Sequence, residues 1–238
     1  MTHRNHVRRV ALLGFVALLA AACTGGGTAP LPTIPSLAPA TPTPAPTHPG
    51  PTYPPACPTS QPPALTAADT RTVTITTDKG AIEITIKGAL SPIATGNFVA
   101  LASCGYFDGV VFHRLVPGFV IQGGDGQFGR VPNVYPDLVG SGGPPYTIKD
   151  EPVTTKYVRG TVAMARTSQP NSVNSQFFIV LSDAAQPALA QANTYQIIGS
   201  VSAGMDVVDA IAAMPNSGGQ NNSAINPVAM TKVTVSNP

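Results

Sequence analysis

Two polar side chains stand among bulky apolar residues between positions 105 and 126, and they are the best candidates in the chain for chemistry. Arg114 follows Phe112 and His113, and Gln122 ends the apolar run 119–122. Each run has the length and β-branched content of a strand, and the Pro-Gly pair at 117–118 is typical of a turn. If the runs pair, Arg114 and Gln122 share one sheet face with Phe119 or Val120 nearby. That surface would be apolar and carry one fixed cation and one amide.

The elements before this stretch are predicted to be a hairpin and a helix. Apolar residues alternate with polar ones at 73–75 and 82–87, the period of half-buried strands, and Gly80 suits the hairpin loop between them. For the helix, Ser91 is the candidate N-cap, Pro92 takes the first helical position, and Gly105 ends it. Gly96 inside this helix costs about 1 kcal/mol relative to Ala.

Short strands with turn signals dominate the rest of the chain. Residues 123–149 are rich in Gly and Pro and predict a long surface loop, and strands are predicted at 160–165, 176–181, 195–201 and 231–235. Met205, Val208 and Ile211 mark a second amphipathic helix, which Pro215 stops. Many short strands with only two helices indicate an all-β barrel whose ends are closed by the helices.

Two segments carry a family resemblance. The sequence FHRLVPGFVIQGGD at 112–125, followed by NSQFFI at 174–179, resembles the cyclophilin family of peptidyl-prolyl isomerases, and the similarity extends over roughly residues 71–235. The resemblance implies a closed eight-stranded antiparallel barrel capped by two α-helices. It also implies an enzyme that needs no cofactor and no metal and that binds proline-containing peptides or folding proteins, and we expect a monomer.

The resemblance also assigns the site. Arg114 would donate to the prolyl nitrogen, with Gln122 and Phe119 beside it in the catalytic group. Arg166 would provide a main-chain clamp on the substrate, whereas His113 and Gln176 lie at matching site-edge positions. The remaining substrate-binding residues would form the proline pocket and its rim: Val120, Ala165, Phe178, Leu189 and Tyr195.

Prolyl isomerisation suits such a site because it breaks no bond. Rotation about the peptide bond meets a barrier of about 18–20 kcal/mol, since the nitrogen lone pair is delocalised into the carbonyl. A catalyst must bind the twisted state, in which that lone pair is localised on nitrogen, better than either planar state. A guanidinium suits this task because it donates hydrogen bonds and stays protonated on an apolar surface.

Three positions depart from the family pattern. Val120 stands where many relatives have methionine, and Tyr195 where many have a site-edge histidine. Residues 190–194 replace a shorter loop and lack its tryptophan. We therefore expect weak cyclosporin binding, and sub-micromolar inhibition would refute that expectation.

The N-terminus predicts export. Arg4, Arg8 and Arg9 precede the apolar run 10–22, which is too short to span a bilayer comfortably. Small residues then lead to Cys23, and this junction resembles a bacterial lipobox. The prediction is a signal peptide at 1–22, a lipid on Cys23 such as palmitate, and anchoring on the outer face of the cell membrane. The alternative is ordinary cleavage and secretion.

Residues 23–68 are predicted to be the lipidated cysteine and a disordered tether that leads to an isomerase domain at 69–238. Of the 26 prolines, 14 fall between positions 24 and 68, which favours an extended chain without a core. A docking ligand for a partner domain is the alternative. In an oxidising compartment Cys57 and Cys104 are a candidate disulfide that fastens the tether to the first helix. Two free thiols are the other possibility.

Other function classes fit the chain less well. A net charge of +2 with 10% charged residues gives no basic surface for nucleic acid. His113 is the only histidine beyond position 48, which excludes a multi-histidine metal site there, and no Gly-x-Ser-x-Gly elbow supports a hydrolase. The rival to an isomerase is a tethered, non-catalytic binding module for proline-containing peptides. A structural envelope lipoprotein would not need candidate site residues such as Arg114 and Phe178.

Overall fold

The first predicted hairpin is present in the computed structural model, which describes residues 53–236. Strand β1 spans Thr70–Thr77 and pairs antiparallel with β2, Gly80–Lys87, so that Thr77 lies opposite Gly80. Gly80 has a φ of +131°, a conformation that glycine adopts without steric cost. The signal peptide and Cys23 lie outside the described residues.

The elements that follow alternate between short strands and short helices. Both predicted helices exist, but the sequence did not predict a short helix at 186–192 or strands at 129–130, 133–134 and 223–229. In chain order the elements are α1 Pro92–Ser103, β3 Val111–Val116, β4 Val120–Gly123, β5 Gly129–Arg130, β6 Asn133–Val134, β7 Thr161–Met164, β8 Phe177–Val180, a 3-10 turn Asp183–Ala185, α2 Gln186–Ala192, β9 Ile197–Ala203, α3 Met205–Ala212, β10 Ser223–Ala229 and β11 Lys232–Ser236.

The fold is mainly β, with nine strands in one curled sheet in the order β10-β3-β4-β8-β7-β9-β2-β1-β11. A closed barrel of eight strands is not confirmed, because the sheet has nine strands and its end strands β10 and β11 do not pair with each other. These two strands are consecutive in the chain. Between them, the Met230 N–H donates to the Val110 carbonyl and the Thr231 N–H to the Thr76 carbonyl, each at 2.8 Å. One chain segment therefore connects the two ends of the sheet.

The sheet has two apolar clusters, one on each side. The interior cluster includes Phe98, Phe107, Phe112 and Phe177, whose ring centroids lie 5.1–6.1 Å apart and which are at most 1% exposed. The smaller outer cluster is built from Val120, Tyr157, Ala163, Phe178, Val180, Ala185, Leu189 and Ile197. No helix within residues 53–236 is long and apolar enough to cross a membrane.

A segment before β1 packs on helix α1. Cys57 is disulfide-bonded to Cys104 at the end of the helix, and the Leu65 N–H donates to the Pro92 carbonyl at its start. A Cβ atom at Gly96 would lie 2.2 Å from the Pro63 carbonyl oxygen. Glycine in the middle of this helix is thus required by the close approach of the segment.

The N-terminus of α1 is capped differently from the prediction. Ser91 occupies the N-cap position, but its side chain makes no capping hydrogen bond. Instead, the Glu151 carboxylate accepts from the main-chain N–H groups of Ile93 and Ala94 at 2.8 and 2.9 Å. An anion at a helix N-terminus satisfies unpaired N–H groups and opposes the helix dipole.

Candidate active site

The register of four strands places the candidate side chains in one row across the sheet. Arg114 on β3 lies opposite Gln122 on β4, Gln122 lies opposite Phe178 on β8, and Phe178 lies opposite Ala163 on β7. Directly paired residues point to the same face of a sheet. The predicted sharing of one face by Arg114 and Gln122 is therefore confirmed.

A bulge at His113 turns Arg114 away from the interior. Phe112 pairs with Gly123 and Arg114 with Gln122, so β3 has one residue more than β4 at this point. Phe112 is fully buried in the interior cluster, whereas Arg114 is only partly buried. In a regular strand, residues two apart face the same side, so without the extra residue Arg114 would share the interior with Phe112.

This row opens into a pocket of about 280 Å³. Helix α2 forms one wall by contributing Ala188 and Leu189, and Tyr195 packs on Phe178 with the ring centroids 5.3 Å apart. All the residues of the pocket except Ala188 were predicted: Arg114, Phe119, Val120, Gln122, Ala165, Arg166, Phe178, Leu189 and Tyr195. The pocket thus combines an apolar floor with two arginines, Arg114 and Arg166, in its lining.

Two hydrogen bonds orient the guanidinium of Arg114. Its Nε donates to the Asn221 carbonyl at 3.2 Å, and one Nη donates to Gln122 Oε1 at 3.4 Å. The other Nη has no hydrogen-bond partner among residues 53–236, so its N–H groups are available to a ligand. Burial lowers the pKa of Arg114, but guanidinium remains charged at any physiological pH.

A chain of amides fixes Gln122 in turn. Gln122 Nε2 donates to Gln176 Oε1 at 3.0 Å, and Gln176 Nε2 donates to the carbonyls of Gly140 and Gly142. The loop that carries these glycines is held by Asp125, whose carboxylate accepts from four main-chain N–H groups at 2.7–3.0 Å. Gln176 therefore holds Gln122 in place and does not itself line the pocket.

The main chain at Arg166 is free for a ligand, whereas its side chain is not. The guanidinium forms an ion pair with Asp150 at 3.2 Å and donates to the carbonyls of Thr167 and Gln169. No hydrogen bond joins the N–H or carbonyl of Arg166 to another residue in the described part of the chain. This arrangement is compatible with the predicted role of Arg166 as a main-chain clamp, which stays a prediction.

His113 lies outside this pocket, in an adjoining groove of about 470 Å³ that also contains Arg114, Gln122 and Asn221. The ring is 6% exposed, and burial lowers its pKa to about 4, so the imidazole is neutral at pH 7. His113 is thus beside the guanidinium but does not contact the pocket floor.

Two contributors were not predicted from the sequence. Ala188 lies on α2, for which Pro187 near its start and the Ala-rich run after it were an available signal. Asn221 uses its carbonyl group, 107 residues from Arg114, and nothing in its local sequence indicates that contact. Because the contact is made by the main chain, the side chain at this position gives no signal for it.

Comparison with known proteins gives a consistent assignment. The family model for cyclophilin-type peptidyl-prolyl cis-trans isomerases matches residues 72–235. A probable peptidyl-prolyl cis-trans isomerase of Brucella abortus is 38% identical over 166 residues, which cover 69% of this chain and 82% of that protein. Peptidyl-prolyl cis-trans isomerase A of Dickeya dadantii is 34% identical over 150 residues, 63% of this chain and 75% of its own.

Solved structures agree with this comparison. A cyclophilin-type peptidyl-prolyl cis-trans isomerase of Cryptosporidium parvum has a TM-score of 0.58 and 29% identity, and covers 71% of this chain and 99% of its own. A second structure of that protein was determined in the presence of the dipeptide Ala-Pro, with the same TM-score and identity.

Proposed function

This chain belongs to the cyclophilin-type peptidyl-prolyl cis-trans isomerases, and from that premise we propose that Arg114 is the group that accelerates the rotation. In the proposal, a proline ring enters the pocket over Val120, Phe178 and Leu189. The free Nη of Arg114 then donates to the prolyl nitrogen as the peptide bond twists. Gln122 holds the guanidinium of Arg114, and Phe119 holds the proline ring, so that the two stay aligned.

The observation that carries this proposal is the fixed position of Arg114. Its Nε is held by the Asn221 carbonyl and one Nη by Gln122, while the remaining Nη has no partner among residues 53–236 and lies at the rim of a pocket with an apolar floor. The planar prolyl nitrogen accepts a hydrogen bond poorly because its lone pair is delocalised. A donor there gains strength only in the twisted state, which is the condition for catalysis rather than for tighter binding alone.

We further propose that the enzyme acts on X-Pro segments of proteins that fold outside the cytoplasm, while anchored to the membrane by a lipid on Cys23. The N-terminal sequence, with its arginines, apolar run and small residues before Cys23, supports this setting. Metabolic labelling with a fatty-acid probe tests it. Label on the wild type and none on a Cys23→Ala variant is the expected result, and secretion of an unlabelled wild-type protein would contradict it.

The mechanism is tested by measuring the exchange rate of a cis/trans prolyl peptide by NMR. Arg114→Ala should lower kcat/KM about a hundredfold, or about 3 kcal/mol, the effect of removing one transition-state donor. Arg114→Lys is the matched control, because it keeps the charge but lacks the planar fork, and it should recover only part of the rate. Binding of the peptide without acceleration by the wild type would instead favour a tethered binding module.

A further inference from the structure

A second, apolar pocket lies where β10 leaves β3. Ser223 pairs with Arg114 and Val228 with Phe112, so five steps along β10 correspond to two along β3. The extra residues 224–227 do not pair with β3, and Pro227 is compatible only with such an irregular or edge position in a strand. The space beneath them measures about 340 Å³ and is here named the Ile225 pocket. Its main residues are His113, Val134, Pro136, Val139, Ile225 and Pro227.

The Ile225 pocket is continuous with the proline pocket. The groove beside Arg114 shares Arg114 and Gln122 with the proline pocket, and it shares His113, Pro136 and Val139 with the Ile225 pocket. The shared residues place the three spaces side by side, so a peptide with its proline beside Phe178 that extends past Arg114 heads toward the Ile225 pocket.

Charge and exposure indicate what the Ile225 pocket accepts. None of the residues that line it carries a formal charge at pH 7, since His113 is neutral there. Ile225 is 60% exposed, more than the other exposed large hydrophobic residues of positions 53–236, Val131 and Val158. An apolar side chain would cover this surface, whereas a charged one would lose its hydration without a partner.

His113 gives an independent sign of a missing ligand. It is 6% exposed, and apart from a weak contact with the Val111 main chain its ring nitrogens have no hydrogen-bond partner within residues 53–236. Buried polar atoms are nearly always hydrogen-bonded in proteins. A neutral imidazole has one donor and one acceptor, and can therefore bond to the main chain of a peptide that passes between the groove and the pocket.

We propose that the Ile225 pocket is a specificity subsite for a bulky aliphatic or aromatic side chain of the client peptide. That side chain lies two to four residues from the isomerised proline, on the side opposite the segment held at Arg166. The groove between the pockets takes the intervening residue or residues. This inference rests on the proposed function, because it requires a proline in the pocket beside Arg114.

The test uses the purified full chain and peptides that contain one proline in an alanine background. Leucine replaces alanine at each of four positions before and after the proline in turn, and kcat/KM is measured by NMR exchange. Leucine at one position should raise kcat/KM about tenfold over alanine, as burial of a few methylene groups in a pocket does. In Ile225→Ser the ratio of the two kcat/KM values should fall to near one.

A matched control separates the pocket from a general loss of surface apolarity. Val158 is 46% exposed and does not line the Ile225 pocket, so Val158→Ser should keep the leucine preference of the wild type. A wild type without leucine preference, or a preference that survives in Ile225→Ser, would overturn the subsite. The all-alanine peptide distinguishes failure of the proposed function from failure of the subsite. If the wild type does not accelerate this peptide, the proposed function fails. If the wild type accelerates it but one of the two contradicting results above is found, only the subsite is wrong.

Discussion

The curled sheet has an apolar cluster on each side, and the two clusters differ in what completes them. Inside, the rings of Phe98, Phe107, Phe112 and Phe177 pack edge to face or tilted, with no exposed surface beyond 1%. Outside, Val120, Phe178 and Leu189 pack on each other but still leave a pocket of about 280 Å³. The chain completes the interior by itself, whereas the outer cluster leaves a space that the proposed function fills with a proline ring. The interior should therefore govern stability and the outer cluster activity.

The largest effect should separate Phe177 from its neighbour Phe178. Phe177→Ala removes a ring that contacts Phe98, Phe107 and Phe112, and should lower the free energy of unfolding by about 3–5 kcal/mol. Phe178→Ala should lower it less, because one side of that ring faces the pocket, yet it should lower kcat/KM far more. Urea unfolding and NMR exchange on both variants provide the two measurements. Equal destabilisation by Phe177→Ala and Phe178→Ala would contradict the proposed difference between the interior and the outer cluster.

The disulfide should matter for stability alone. Cys57 and Cys104 are 47 residues apart in the chain, so their bond restricts the unfolded state, and its loss should cost about 2–4 kcal/mol. Neither cysteine lines the proline pocket. We expect the Cys57→Ser, Cys104→Ser double variant to unfold at lower denaturant concentration and to keep the kcat/KM of the wild type while folded. A loss of activity at unchanged stability would place this disulfide in the site instead.

His113 should make stability depend on pH, although it stands next to Arg114 at the candidate site. Its pKa in the folded protein is about 4, below an unfolded value of about 6.5, so the unfolded state binds the proton first as pH falls. The stabilisation is complete above pH 6.5 and is lost as pH falls through 4. Between pH 7 and pH 4.5 the loss should be about 2–3 kcal/mol.

A His113→Gln variant isolates this contribution from the carboxylates that also titrate. Unfolding free energies of both proteins at several pH values give the measurement, and the difference between their slopes reports His113 alone. Parallel pH profiles would show that the buried imidazole does not set this dependence.

The sequence predicted what depends on local pattern. Strand-like runs and the turn between them led to the prediction that Arg114 and Gln122 share a sheet face if the runs pair, and Pro92 and Gly105 bounded α1 closely. The pattern could not predict contacts made across long separations. Glu151 caps α1 from 58 residues away, whereas the sequence pattern predicts Ser91 as the cap. Gly96 looked unfavourable in a helix, and only the approach of Pro63 explains it.

The bulge at His113 was equally hidden from the sequence. Without it, strand alternation would place Phe112 and Arg114 on one face, and the site would not exist in its present form. No glycine or proline marks this position, and the bulge is defined only by the pairing of β3 with β4 and β10. The family motif pointed to Arg114 and Gln122 as candidates, and the structure shows why Arg114 faces outward.

The most direct test of the mechanism is to separate ground-state binding from the rate of rotation in Arg114→Ala. Peptide affinity by NMR titration and exchange of the bound peptide by line-shape analysis can be measured on one sample. If Arg114 acts on the twisted state, the affinity should change less than about threefold while bound exchange slows about a hundredfold. An affinity that falls as much as the rate would show that Arg114 only binds the peptide, and would contradict the proposed mechanism.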